Sequence, residues 1–267
     1  MATATYSDPA AEHPTWEQLL RDAINEPGTI SQAYSAFHSY SLGNQLLALF
    51  QCAARGIRPG PIATFMHWKE LGRSVRKGEK ALILCQPRTY VKRDPDPDEE
   101  DAEPGVIFTY RRGWFVLSQT DGEPYIAPEL PTWDKARALD ALGPVEVPFT
   151  ATDGNMLGYS VQGRFAVSPL SPFPAKTTFH ELAHCLLHLD EEHREGAELP
   201  RNLKEVEAES VALLCSEALG LDGAEYARGY VQNWLQGEAI PEASARRIFG
   251  AADRILKAGR SPEVPAT

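Results

Sequence analysis

Along this chain, apolar residues keep a helical spacing over long stretches and cluster into short runs between them. Thr15 is placed to cap a helix running to about Ala23. From Gln32 to Ala54 the stripe Tyr34, Phe37, Tyr40, Leu46, Leu47, Leu49 and Phe50 predicts helix, with a break near Ser39 to Gly43 and a stop at Gly56. Pro59-Gly60-Pro61 reads as a turn, Thr64 to Leu71 as a short helix ended by Gly72, and Val75 to Lys80 as a further turn. Ala81 to Cys85, Val106 to Tyr110 and Trp114 to Leu117 are strand-like. Helix then returns at Trp133 to Leu142. Strand-like pieces follow at Val145 to Phe149, Tyr159 to Val161 and Arg164 to Val167. Pro169, Pro172 and Pro174 lead into a helix carrying His180-Glu181-Leu182-Ala183-His184. Three more helices close the chain: Leu203 to Leu219, Tyr226 to Leu235, and Glu242 to Lys257. The last has the stripe Ala245, Ile248, Phe249, Ala252, Ile255, Leu256. A few strands followed by helices define an α+β fold.

Two proline-rich stretches punctuate this pattern. Asp94 to Pro104 (DPDPDEEDAEP) reads as an acidic loop between strands. Pro124 to Pro131 is the better boundary, which gives two domains, 1–127 and 128–267.

Composition narrows the class. No run of about 18 apolar residues is present, so no membrane span and no membrane partner are expected. The polar start MATATYSDPAAEHPTWEQLL lacks a basic-then-apolar leader, which predicts a cytoplasmic protein. Cys52, Cys85, Cys185 and Cys215 are widely spaced and are expected to be buried free thiols. The net charge of −11 conceals a basic segment. Between Arg55 and Arg93, ten Lys and Arg residues face only Glu70 and Glu79, so an otherwise acidic chain carries a local polyanion-binding candidate.

His180-Glu181-Leu182-Ala183-His184 fits H-E-x-x-H. The two histidines share a helix face and can converge on one ion, and Glu181 can take a proton from a water there. Core histidines are the plainer alternative. Against it, Phe179, Leu182, Ala183, Leu186 and Leu187 make this helix partly buried, and a buried carboxylate needs a partner. His188 is rejected as third ligand, since it lies about 12 Å along the axis from His180. Leu187 and Asp190 occupy the positions where a metzincin has glycine and histidine. His193 is a weaker candidate.

The run Glu205-Val206-Glu207-Ala208-Glu209 fits better. Glu205 and Glu209 share a face and Glu207 points the other way. This resembles the gluzincin arrangement, in which a downstream helix supplies a glutamate ligand and a second acidic residue orients a histidine. Glu205 is therefore expected as third ligand to one Zn2+, with Glu209 orienting a ligand histidine. The alternative is a solvated acidic helix start favoured by the helix dipole.

In the basic segment Phe65, Trp68 and Tyr90 interleave with the cations, and Tyr40 and Trp114 flank them. Cations with aromatic faces suit single-stranded nucleic acid. Here the chain resembles the ArdC-type antirestriction proteins of mobile elements. The resemblance rests on Tyr40 to Leu49, Gly60-Pro61, Ala63-Thr64-Phe65, Trp68 to Gly72, Val75-Arg76-Lys77-Gly78-Glu79-Lys80 and Trp114 to Thr120. In the second half it rests on His180 to His184, Glu205 to Glu209 and Tyr230 to Leu235. Tyr40-Ser41-Leu42-Gly43-Asn44 departs from the family, whose pattern is nearer YRGIN, and the acidic insert matches none of its motifs. The resemblance implies a first domain that binds single-stranded DNA and a second that is a zincin-like metallopeptidase. The implied role is protection of incoming mobile-element DNA.

Candidate DNA-contacting residues are Tyr40, Asn44, Trp68, Lys69, Arg73, Arg76, Lys77 and Lys80. Glu181 is the candidate general base. Tyr159, Tyr226 and His193 are left open as oxyanion donors. The protein or peptide substrate is unknown. Two other functions fit the same residues: a DNA-coating protein whose zinc site is structural or vestigial, and a DNA-damage-responsive protease that cleaves a repressor.

Overall fold

A computed structural model describes residues 13–90, 105–150, 154, 156–188, 199–234 and 238–262. The expected acidic loop 94–104, His193 and the end of the Tyr226 to Leu235 helix lie outside them. The chain is mixed α/β and falls into two compact units. The first comprises Met1–Pro14 and Leu47–Ile126, the second Thr15–Leu46 and Ala127–Thr267. The expected 1–127 domain therefore differs from the first unit: Thr15–Leu46 packs with the C-terminal part. The physical reason is visible in the partners of this stretch. Helix α1 (Trp16–Asn25) and helix α9 (Glu242–Ala258) meet through the Trp16 and Phe249 rings, 5.8 Å apart. Helix α2 (Thr29–Phe37) packs on α7 (Arg201–Ala218).

Local chemistry explains several helix ends. Thr15 caps α1 in a reciprocal box with Gln18. The predicted break after α2 is real, and α3 runs Leu42–Arg55 until Gly56, at φ +63°. In the first unit, β1 (Ile62–Thr64) leads into α4 (Phe65–Glu70), capped by Thr64. Gly72, at φ +71°, turns the chain into β2 (Arg73–Val75).

Strands β3 (Leu82–Tyr90) and β4 (Gly105–Val116) form a long antiparallel ladder, and β1 adds on the other side of β4. The two strands expected at Val106 to Tyr110 and Trp114 to Leu117 are one continuous strand. Gly113 breaks the register, since Leu82 pairs with Trp114 and Ile83 with Arg112. One extra residue of this kind is a bulge, which the pattern mistakes for a gap. The short strands β1, β2 and β5 (Thr120–Gly122) escape periodicity because three residues carry too little of it.

In the second unit, α5 (Lys135–Leu142) precedes a small sheet of β6 (Val145–Glu146), β7 (Gly158–Val161) and β8 (Arg164–Val167), in the order β6-β8-β7. Helix α6 (Pro174–Leu187) packs against β7, β8, α7 and α9. Helix α8 (Ala224–Trp234) packs on α7. The core of this unit is α7, buried from Val206 to Ala218. All four cysteines are buried thiols outside any disulfide.

Candidate metal centre

Helix α6 starts with Pro174 at its first turn and buries Phe179, Leu182, Ala183 and Cys185. That packing fixes the helix rotation, so His180 and His184 lie together on the side facing α7. Their Nε2 atoms are 3.1 Å apart. From α7, Glu205 Oε2 reaches 3.5 Å from His180 Nε2 and 3.7 Å from His184 Nε2. The three side chains offer ligand atoms that all lie within 4.8 Å of one another. Two imidazoles and a carboxylate are a donor set that suits a divalent metal ion.

The surroundings orient these groups. His180 Nδ1 lies 2.8 Å from Glu209 Oε2, and Lys176 Nζ donates to the same oxygen at 2.7 Å. A carboxylate only accepts, so Glu209 keeps a proton on His180 Nδ1, and the ring when neutral presents Nε2 as a lone pair. Without an ion, burial pulls the His180 pKa down, but hydrogen bonds to Glu205 and Glu209 outweigh it and lift it to about 9. The same bonds with His180, and those with His184, hold the Glu205 carboxyl far below the carboxylate range, against a smaller opposing effect of burial. The acidic run on α7 is not a solvated helix start: Glu207 is 0% and Glu209 3% exposed.

Glu181 is 5% exposed and packs against β7. A Cβ on Gly158 would stand 2.5 Å from its Oε1 and 2.8 Å from Thr177 Cγ2, so only glycine leaves room for the carboxylate. Burial raises the Glu181 pKa, while His180, His184 and a hydrogen bond from Ser160 resist the rise.

The oxyanion candidates separate. The Tyr159 ring lies tilted against Phe149 and its hydroxyl sits 3.2 Å from Thr150 Oγ1. Tyr226 carries Lys176 over its ring at 5.5 Å. Tyr230, which is not among those candidates, feels the charge of the glutamates on α7. The Tyr230 hydroxyl is made less acidic by partial burial and then by the charges of Glu205 and Glu209. Its place one helical turn beyond Tyr226 was the available clue.

In the first unit the basic residues divide into structural and exposed groups. Trp68 is not a stacking face. It is 1% exposed, and its indole N–H donates to Phe115 O at 2.8 Å. Trp114 is buried as well, whereas Phe65 on α4 is 51% exposed. Arg73 ties β2 to β5 through Thr120 and the Glu123 carbonyl. Arg76 pairs with Glu79 at 2.8 Å and donates to Ser118 O. Gln119 completes this turn, accepting from Val116 N and donating to Glu79 Oε2 and Lys80 O. The two motifs Val75 to Lys80 and Trp114 to Thr120 are thus one folded piece. Lys69, Lys77 and Lys80 are at the surface. Tyr40 and Asn44 belong to the second unit, with Tyr40 O accepting from Gln45 Nε2.

Fold and site define a two-unit mixed α/β protein with a histidine–histidine–glutamate group on its helical unit. Residues 11–115 match the model of the N-terminal domain of anti-restriction factor ArdC. Two crystal structures of the antirestriction ArdC protein from the R388 plasmid share the fold. The metal-free structure is 24% identical, covers 91% of this chain and 94% of that one, and has a TM-score of 0.51. For the Mn(II)-bound structure the values are 22%, 91%, 95% and 0.50. Residues 11–115 thus correspond to an ArdC N-terminal domain, and the chain shares the fold of the R388 protein. No curated protein matches it. Among the described residues no helix is long and apolar enough to cross a membrane.

Proposed function

We propose that this protein is a metal-dependent peptidase of the zincin-like (gluzincin) kind, joined to a unit that binds single-stranded DNA. The observation that carries the peptidase reading is the convergence of His180, His184 and Glu205, with the buried Glu181 on the next residue of the same helix. These three residues would hold one ion. Zn2+ is the best fit to two imidazole nitrogens and one carboxylate, and the R388 relative shows that a protein of this fold takes Mn(II). When bound, the ion supplies Lewis acidity toward a carbonyl and acidifies a water. Glu181 accepts the proton of the attacking water and returns it to the departing amine. Tyr230 donates to the developing oxyanion, a placement supported by its coupling to Glu205 and Glu209.

DNA binding is assigned to the surface lysines Lys69, Lys77 and Lys80 with the exposed ring of Phe65. Cations follow the phosphates and the ring stacks on a base. Likeness to an antirestriction protein supports protection of incoming DNA as the biological role.

Metal analysis and a protease screen, each with and without single-stranded DNA, test the proposal. The wild-type chain should hold one ion per molecule and cleave, and Glu181→Gln should hold the ion and fail to cleave. Cleavage that survives Glu181→Gln refutes the assigned base. Full DNA protection by the same variant would assign protection to binding alone.

A further inference from the structure

The second ligand histidine has its own orienting partner. His184 Nδ1 lies 2.9 Å from Nδ1 of His188, one turn further along α6. On its far side, His188 Nε2 is 3.1 Å from Glu207 Oε2. Glu207 is wholly buried, and its other oxygen meets Arg247 of α9 at 2.5 Å. The chain His184–His188–Glu207–Arg247 thus crosses three helices.

With His184 Nε2 given to an ion, the remaining contacts fix where the protons lie. Two facing Nδ1 atoms need one proton between them. If His184 presents Nε2 as a lone pair beside His180 and Glu205, its proton sits on Nδ1. His188 Nδ1 is then the acceptor and its proton sits on Nε2, where it donates to the Glu207 carboxylate. The reverse assignment of a neutral His188 would set its Nε2 lone pair against the Glu207 oxygen, leaving that buried contact without a proton.

Resting on the metal-site reading above, we infer that His188 is a positioning residue. It holds His184 in the Nδ1–H tautomer and in the ring orientation that an ion requires, with Glu207 and Arg247 as its fixed support. His180 is oriented by a carboxylate directly, through Glu209. His184 is oriented through an imidazole spacer, because His188 fills the place where a carboxylate would reach it. Glu205, Glu207 and Glu209 alternate along α7 and so perform three separate tasks: ligand, support of His188, and support of His180.

The test is zinc affinity by chelator competition on the full chain, with the absorption spectrum of the Co(II)-substituted protein as a second readout. His188→Leu keeps bulk and removes both hydrogen bonds. It should bind zinc about 10- to 100-fold more weakly and shift the Co(II) bands. His188→Gln can accept with its oxygen and donate with its nitrogen, and should recover affinity to within a few-fold of wild type. A His188→Leu protein with a wild-type melting profile and wild-type zinc affinity overturns the inference. Long-range 1H–15N spectra of the zinc-loaded wild type need no variant. They should show His188 neutral with its proton on Nε2, and a proton on Nδ1 or an imidazolium would overturn the assignment. His184→Ala separates the two readings. A wild type that binds no zinc, or binding that His184→Ala leaves intact, overturns the metal site and this inference together. Binding that is sensitive to His184→Ala but indifferent to His188→Leu overturns this one alone.

Discussion

At single side chains, proton competition at His180 has a sign that can be worked out. Its metal-free pKa is raised to about 9 by Glu205 and Glu209, against the pull of burial. The protonated form therefore stabilises the metal-free fold fully below about pH 6.5. That contribution is lost as pH rises through 9. Metal binding needs the neutral ring, so affinity moves the opposite way. Between pH 6.5 and 9 the logarithm of zinc affinity should rise with a slope of about +1 per pH unit, while the metal-free melting temperature falls. Isothermal titration and thermal melting across that window check both. Gly158→Ala intrudes on Glu181 without touching a ligand. It should cut the rate of peptide hydrolysis about 100-fold and leave the metal content at one ion, measured by kinetics and elemental analysis. Tyr230→Phe should lower kcat by about 10²- to 10³-fold with little change in KM.

Among the elements, the second unit is tied by a polar clamp unrelated to the metal. Arg228 of α8 pairs with Glu217 of α7 and donates to the Ala23 and Ile24 carbonyls at the end of α1. Glu217 also accepts from the backbone N–H groups of Gly28 and Ile30 at the start of α2. One buried carboxylate and one buried guanidinium thereby close the α1–α2 turn against α7 and α8. Glu217→Ala strands Arg228 in the interior, and should destabilise this unit by about 3–5 kcal/mol. Denaturant melts of the variant followed by far-UV circular dichroism measure it. The same clamp shows why the helix from Thr15, legible from its cap, is assigned by sequence to the other half. Its partners lie some two hundred residues downstream, and no local pattern points to them.

For the whole molecule, the proposed DNA surface rests on cations that the fold does not already engage. Arg73 and Arg76 are occupied in holding their turn, and Trp68 is core. Charge reversal at Lys77 and Lys80 should therefore weaken single-strand affinity while leaving the melting temperature unchanged. Each phosphate that is no longer neutralised should reduce the slope of log affinity against log salt by about 0.7. Fluorescence anisotropy over a salt series checks both. By contrast, Trp68→Ala should abolish binding through loss of the fold, at about 3–5 kcal/mol.

What the sequence determined by itself is what depends on near neighbours. Helix caps, the glycine stops at Gly56 and Gly72, and the i, i+4 pairing of His180 with His184 follow from backbone geometry over a few residues. So does the shared face of Glu205 and Glu209, once both are on a helix. What tertiary structure decided is everything that needs two distant segments to meet. Trp68 and Phe65 are three residues apart and equally aromatic, yet packing against β4 buries one and leaves the other in water. Gly113 reads as a gap and is a bulge, because its partner strand begins more than twenty residues earlier. Helix geometry alone argues against His188 as a ligand but is silent on what else it does. Its contact with Glu207 depends on how α6, α7 and α9 lie against one another, and only the folded chain sets that.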